Sequence, residues 1–230
     1  MTWKELFTSS IGKKLTMGLT GLFLVTFLVI HAGINACIFA NDGGVMFNKA
    51  AHFMGSMVVI RIVEIGLFVG FFIHIIQGLV LTVQNNSKRR VKYAVNKAGQ
   101  NSKWYSRSMG LLGTLLLIFL ILHWWHFWIP SRITHAGLPG GHFVEGVEMH
   151  NMYGLMQVTF KELWVVILYV LACASLAFHL IHGFQSAFRT LGMSNKKHLA
   201  IVNEFGIAFS VVISIVFALM PVAMYLNWIK

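Results

Sequence analysis

Charged side chains are scarce in this 230-residue chain, since Asp, Glu, Lys and Arg make up 11% of it. A soluble domain of this length carries about a quarter of such residues. The charges are also clustered, and five long windows contain none of them: 15–41, 65–87, 108–131, 163–188 and 205–229. Each window is longer than the about 20 apolar residues that a membrane-spanning helix needs, whereas buried strands last only about 4–8 residues. The composition therefore excludes a soluble domain and predicts an all-α integral membrane protein with five transmembrane helices.

Cysteine is nearly absent, and its two occurrences, Cys37 and Cys173, both fall in predicted spans. We interpret them as small apolar side chains, which excludes a disulfide framework or a cysteine metal site. The first apolar segment is too long for a cleaved signal peptide, so we expect a retained helix.

Acidic residues are rarer than basic ones, 7 against 18, which gives a formal net charge of +11. Of the 18 basic residues, 13 lie in the N-terminal segment and in the second and fourth connections between spans. The positive-inside rule places these segments in the cytoplasm. We therefore expect a multi-pass protein of the cell's inner (cytoplasmic) membrane, with the N-terminus cytoplasmic and the C-terminus outside. The basic face would attract membrane lipid or an acidic soluble partner, and no nucleic acid is expected.

The predicted helices form one domain over residues 1–230. The chain is expected to begin with a short interfacial segment at 1–12, to carry a basic cytoplasmic connection at 86–104, and to have its longest external loop at 131–160. The five spans are expected at about 14–39, 57–85, 105–130, 161–189 and 200–228.

One apolar segment occurs twice with its histidine in register. "MGLTGLFLVTFLVIH" ends at His31, and "MGLLGTLLLIFLILH" ends at His123, with eight of fifteen positions identical. Gly21 and Gly113 each lie ten residues before the histidine of their copy. A glycine here would leave room for something flat and bulky, or for a close helix neighbour.

The second and fourth spans share a different pattern, His-x-x-x-Gly, at His74–Gly78 and His179–Gly183. Residues four apart lie on one helical face, so each glycine is expected to leave space beside its histidine. Counting from the span ends puts His74 and His179 in the inner half of the membrane.

The same count puts His31 and His123 in the outer half, so four histidines form two pairs at two depths. A histidine inside a membrane span is costly and usually functional, although each one alone could be a hydrogen-bonded packing residue. Two pairs are what two six-coordinate b-type haems need, because each iron takes a neutral imidazole nitrogen from either side. Zinc fits less well, since a structural site gathers four ligands in one place.

Two helices offer a second histidine, in "HWWHFW" and "HLIHGFQS". The repeat selects His123 over His126, and the His-x-x-x-Gly pattern selects His179 over His182. The two remaining histidines, His126 and His182, would either form hydrogen bonds next to the ligands, bind a haem propionate, or face a helix interface as polar packing residues.

At this point the sequence resembles a known family, the cytochrome b membrane anchors of succinate dehydrogenase and fumarate reductase, in their five-helix, dihaem branch. The resemblance covers nearly the whole chain and rests on "TGLFLVTFLVIH", "FNKAAHFM", "IHIIQG", "FLILHWWHFW" and "FHLIHGFQSAFRTLG". It implies a dihaem four-helix core plus a fifth helix without a ligand, with axial histidines at His31, His74, His123 and His179.

The resemblance implies that His74 and His179 hold the haem nearer the soluble subunits, and that His31 and His123 hold the other. The expected partners are a flavoprotein, which interconverts succinate and fumarate, and an iron–sulfur subunit on the cytoplasmic face. This chain would anchor them and exchange electrons with membrane quinone (menaquinone or ubiquinone).

Cations and hydroxyls near the predicted membrane surfaces are candidates to bind the haem propionates, although each could equally be an interfacial anchor. These candidates are Ser10, Lys13, Arg107, Ser186 and Arg189 on the inner side, and Arg61 and Arg132 on the outer side.

Quinone chemistry needs a proton-exchanging group, and we expect it near the outer haem. Glu64, His126 and Glu148 are the main candidates, with His52, Glu145 and His150 nearby in sequence or on the same predicted face. Glu64 could instead form an ion pair with Arg61, and the loop glutamates could be solvated surface.

Three rival functions remain open from the sequence. One is the haem-b quinone-reactive subunit of a hydrogenase or formate dehydrogenase, although such a subunit should not share the glycine–histidine repeat. Another is a proton-coupled transporter whose histidines relay protons, although transporter repeats are often inverted and these are not. The last is an inert anchor with histidines buried for packing.

Overall fold

The computed structural model describes residues 2, 8–87, 103–135, 142–144 and 147–229. Half of the predicted interfacial segment 1–12 and most of the basic connection 86–104 lie outside these residues, as do Glu145 and the side chain of His142. The described helices are α1 (Ser10–Ala36, continued by a 3₁₀ turn at Cys37–Ala40), α2 (Val45–Ser56), α3 (Val58–Ser87), α4 (Trp104–Arg107), α5 (Met109–His123), α6 (Met152–Thr159), α7 (Leu163–Thr190) and α8 (Lys196–Tyr225). Two π-helical turns follow α5, at Trp124–Trp128 and Pro130–Thr134, and a hairpin is formed by β1 (His142–Val144) and β2 (Val147–Met149).

Five of these stretches are long and apolar enough to cross a membrane, which confirms the predicted all-α membrane fold. They are Ser10–Ala40, Val58–Asn85, Met109–Thr134, Leu163–Thr190 and Lys196–Tyr225. The first and last begin earlier than expected, at Ser10 and Lys196, so that lysines lie in the helical ends. Long lysine side chains can do so because their stems lie on apolar surface while the ammonium groups reach water.

The connections contain more structure than a count of spans can show. The segment after the first span forms α2, and the longest loop contains α6 and the antiparallel β1–β2 hairpin, in which Phe143 pairs with Glu148. The described part of this loop is therefore ordered around short elements.

Contacts within the chain divide it into two compact units, each made of segments from several spans. The first unit comprises Met1–Thr26, Leu67–Leu116 and Ser175–Val211, and the second comprises Phe27–Gly66, Leu117–Ala174 and Val212–Lys230. Each unit contains one of the two expected histidine pairs. The expectation of one domain stays a prediction.

In the first unit, α7 packs closely on α5 and α8. Ser175 Oγ donates a hydrogen bond to the Leu112 carbonyl oxygen at 3.2 Å, which ties α7 to α5. The Phe184 ring lies 5.9 Å from that of Phe205 on α8, centroid to centroid. A Cβ at Gly206 would lie 2.6 Å from Phe184 Cδ1, so the glycine permits this close approach.

In the second unit, a buried asparagine joins α2 to the start of α6. Asn48 is fully buried; its Nδ2 donates to Asn151 Oδ1 at 3.1 Å, and its Oδ1 accepts from the Tyr153 amide at 2.9 Å. Asn151 also caps α6, because its Oδ1 accepts from the Gly154 amide at 2.9 Å. Paired in this way, the buried amides do not carry the desolvation cost of an unsatisfied polar group.

Candidate functional site

The first unit brings His74 of α3 and His179 of α7 together, with the rings in an edge-on arrangement. Their ring centroids are 6.3 Å apart, with an interplanar angle of 67°, and both side chains are half-buried. Two imidazoles that bind one metal ion from opposite sides, each nitrogen about 2 Å from it, have centroids about 6 Å apart. The separation of His74 and His179 therefore suits a single metal ion between them.

The repeat glycines lie against this pair of rings. A Cβ at Gly21 of α1 would lie 3.5 Å from His74 Cε1, and one at Gly113 of α5 would lie 3.7 Å from His179 Cε1. Each repeat helix therefore turns its glycine toward a histidine of another helix.

Thr20 is a neighbour of His74 that sequence reasoning missed. Its Oγ1 lies 3.1 Å from His74 Nδ1 and donates to the Thr16 carbonyl oxygen at 2.7 Å. The available signal was a polar break in the repeat, since the second copy has Leu112 at the equivalent position. Nδ1 of His179 is buried and has no hydrogen-bond partner among the described residues.

The second unit contains the other pair, His31 of α1 and His123 at the end of α5. Their ring centroids are 5.8 Å apart at an interplanar angle of 90°. Phe27 stacks on His31 with centroids 5.1 Å apart, and Phe119 stacks on His123 at 5.5 Å. Asn35 Nδ2 lies 3.3 Å from His31 Nδ1 and donates to the His31 carbonyl oxygen at 2.7 Å.

His126 is separated from His123 by a change in helix type, because a π-helical turn begins at Trp124. His126 Nδ1 lies 3.0 Å from the Tyr169 hydroxyl, and the two rings are stacked with centroids 5.9 Å apart. Tyr169, which sequence reasoning did not single out, is buried on α7. Its ring centroid also lies 6.0 Å from that of His123. His126 is thus held in a polar pair beside His123. His182 is half-buried on α7.

Glu64 of α3 is the centre of a polar cluster in the second unit. Trp128 Nε1 donates to Glu64 Oε1 at 2.7 Å, and Arg132 Nε lies 3.4 Å from the same oxygen. Arg61 Nη1 donates to Oε2 at 3.4 Å. The carboxylate therefore makes the ion pair with Arg61 that the sequence left as an alternative, together with a tryptophan and a second arginine. Arg132 also donates to the Gly55 carbonyl oxygen at 3.4 Å, through Nη1.

The loop candidates are not brought to this cluster by any described contact. Glu148 is exposed on β2, and His52 is exposed on α2. His150 instead lies beside His135, with ring centroids 5.0 Å apart.

The other predicted cofactor-binding residues occupy varied positions in the first unit. Lys13 Nζ donates to Gln84 Oε1 at 3.1 Å, while a Cβ at Gly78 would lie 3.9 Å from Met17 Cε and one at Gly183 would meet open space. The remaining four are exposed: Ser10, Arg107, Ser186 and Arg189.

Among the described residues there is no group of three or more His, Cys, Asp or Glu side chains that could hold a metal ion. Each histidine pair offers only two nitrogens. Two imidazole nitrogens suit a metal whose remaining ligands belong to a macrocycle.

Comparison with known proteins gives one relevant similarity. No family model matches this chain, and no solved structure matches it. The chain is 26% identical over 178 residues to the succinate dehydrogenase cytochrome b558 subunit of Bacillus subtilis (strain 168), a match that covers 76% of this chain and 74% of that protein. The similarity supports the resemblance to the cytochrome b membrane-anchor family that the motifs indicated.

Proposed function

We propose that this chain is the dihaem cytochrome b membrane anchor of a succinate:quinone oxidoreductase, a succinate dehydrogenase or fumarate reductase. It would pass electrons between an iron–sulfur subunit and membrane quinone. The observation that carries the proposal is the pairing of the four histidines, with ring centroids 5.8 Å apart for His31 and His123 and 6.3 Å for His74 and His179. The similarity to a succinate dehydrogenase cytochrome subunit agrees with it.

The four histidines would be the axial ligands of two haem b groups. Haem supplies one-electron transfer, and the protein contributes ligation, orientation and a water-poor surrounding. Phe27 and Phe119 hold the rings of His31 and His123 by stacking. Gly21 and Gly113 keep bulk away from His74 and His179.

The chain would contribute no dicarboxylate chemistry. A flavoprotein subunit would interconvert succinate and fumarate, and an iron–sulfur subunit would dock on the basic face that the charge distribution predicts to be cytoplasmic. The apolar spans would hold the complex in membrane lipid.

Quinone would react near the His31–His123 pair, with Glu64, His126 and Glu148 as candidates for proton exchange. Glu64 and His126 have the stronger structural support, because each takes part in a hydrogen-bonded cluster of the second unit. A general acid or base needs such placement within reach of its proton.

A haem count on the purified complex tests the proposal. We expect a pyridine haemochrome assay to give two b haems per chain, reducible by succinate and titrating at two potentials. His74→Ala and His31→Ala should each remove one haem, whereas the exposed His198→Ala should retain both. A wild-type complex without haem would refute the cytochrome assignment and favour a transporter or an inert anchor. Haem reducible by hydrogen or formate but not by succinate would favour the other quinone-reactive cytochromes.

A further inference from the structure

We infer that Thr20 is a positioning residue for His74, fixing the imidazole so that Nε2 is the nitrogen available to iron. The inference rests on the proposed function, because it concerns how one expected haem ligand is held. Thr20 lies on α1 and His74 on α3, so the contact joins two helices of the first unit.

The direction of the hydrogen bond follows from the hydroxyl's single proton. Thr20 Oγ1 is 2.7 Å from the Thr16 carbonyl oxygen, which can only accept, so the threonine proton points there. Oγ1 then has only lone pairs to offer His74 Nδ1, 3.1 Å away. With the hydroxyl proton directed at that carbonyl, the contact assigns the His74 proton to Nδ1, which leaves the Nε2 lone pair free.

The neighbouring glycine strengthens this assignment. His74 Cε1 lies 3.5 Å and Nδ1 4.0 Å from the position that a Cβ at Gly21 would take. The Cε1–Nδ1 edge of the ring therefore faces α1. Thr20 and Gly21 together provide the hydrogen bond and the space that this orientation requires.

The hydrogen bond also has an electronic consequence. A histidine ligand that donates its other N–H to an acceptor becomes a stronger electron donor, and such partners tune metal sites. His179, on the other side of the same pair, has no partner for Nδ1 among the described residues. Thr20 is thus the described group that tunes this pair by hydrogen bonding, and its loss should raise the reduction potential of the haem held by His74 and His179.

The test uses the purified holo complex with three variants of α1. Thr20→Val removes the hydroxyl and keeps the shape of the side chain, whereas Thr20→Ser keeps the hydroxyl and removes the methyl group. Thr26→Val is the matched control, because Thr26 Oγ1 bonds the Leu22 carbonyl oxygen at 3.1 Å on an exposed face. The readouts are the two haem midpoint potentials, the low-temperature EPR spectrum of each haem, and haem content. The haem lost in His74→Ala identifies which potential to follow.

We expect Thr20→Val to shift that potential upward and alter that haem's EPR signal, with the second haem unchanged. Weakened retention of the same haem, by about tenfold or more, would also support the inference if Thr20→Ser retains it. Thr20→Ser and Thr26→Val should resemble the wild type. An unchanged potential in Thr20→Val, with both haems present, would overturn the role of Thr20 and leave the dihaem proposal intact. Absence of haem from the wild type would instead overturn the proposed function.

Discussion

Gly21 and His31 belong to one sequence repeat but serve different histidine pairs. Gly21 lies against His74 in the first unit, and His31 faces His123 in the second. The sequence alone identifies both residues as candidates, because the glycine and the histidine have the same spacing in the two copies of the repeat. Which ring each glycine contacts depends on how the helices pack, and the repeat alone carries no information about that.

Replacing Gly21 by leucine should disturb the His74–His179 pair and spare the other. A bare Cβ would lie 3.5 Å from His74 Cε1, an ordinary contact, so alanine is expected to be tolerated. The larger leucine side chain would need the space that the ring occupies. Haem content should fall from two to one per chain in Gly21→Leu and stay at two in Gly21→Ala.

The control for this prediction lies on the same helix. A Cβ at Gly33 meets no atom within 4 Å, so Gly33→Leu should keep both haems. Retention of two haems with unchanged spectra in Gly21→Leu would show that the glycine does not limit the space beside His74.

Replacing Glu64 by glutamine should slow quinol turnover while leaving both haems in place. The amide keeps an oxygen for Trp128 Nε1 but loses the negative charge that faces Arg132 and Arg61. A lost acid–base group reduces rates by about a hundredfold or more. Initial rates with a soluble quinol analogue would measure the effect, with the exposed Glu204→Gln as the control. Unchanged turnover would remove Glu64 from the proton path and leave it as a structural ion pair.

The third span shows where helix prediction from sequence stops. The apolar length of this segment correctly predicts a helix near 105–130. The α-helical part, α5, ends at His123, and the chain beyond it forms π-helical turns. In these turns, His126 contacts Tyr169, which is 43 positions away in sequence, and Trp128 contacts Glu64, which is 64 positions away. Such tertiary contacts decide between α and π geometry, which local propensity cannot distinguish, and π turns often occur at functional sites.

The turn before α2 should depend on Gly44. Its φ is +82°, and a Cβ there would collide with the Tyr153 ring. A side chain in this backbone region costs about 1–3 kcal/mol, and the collision adds to that cost. Gly44→Ala should therefore lower the melting temperature of the purified complex in detergent.

Variants of two other glycines distinguish the cost of the backbone conformation from the cost of the collision with Tyr153. Gly43 has φ +71° but open space around its Cβ position, and Gly33 has neither constraint. Gly43→Ala should show only the backbone cost, and Gly33→Ala should melt like the wild type. Equal melting of the Gly44 and Gly43 variants would mean that the Tyr153 ring moves aside freely.

Across the full chain, charge-free windows were enough to predict the number of spans. Exclusion of charge from the hydrocarbon layer is a strong constraint, and it acts on long segments. The connections are under no such constraint, so α2, α6 and the β1–β2 hairpin left no comparable pattern. Their positions depend on specific contacts, such as the bond from Asn48 to Asn151.

The orientation in the membrane can be tested at the two ends of α7. With Cys37 and Cys173 replaced by alanine, single cysteines at the exposed positions Lys161 and Ser194 would report on opposite sides. The excess of lysine and arginine in the expected cytoplasmic segments predicts that Ser194 faces the cytoplasm. A membrane-impermeant maleimide should therefore label Lys161→Cys in intact cells and Ser194→Cys only after permeabilisation. The reverse pattern would invert the topology, and with it the face on which the iron–sulfur subunit is expected to dock.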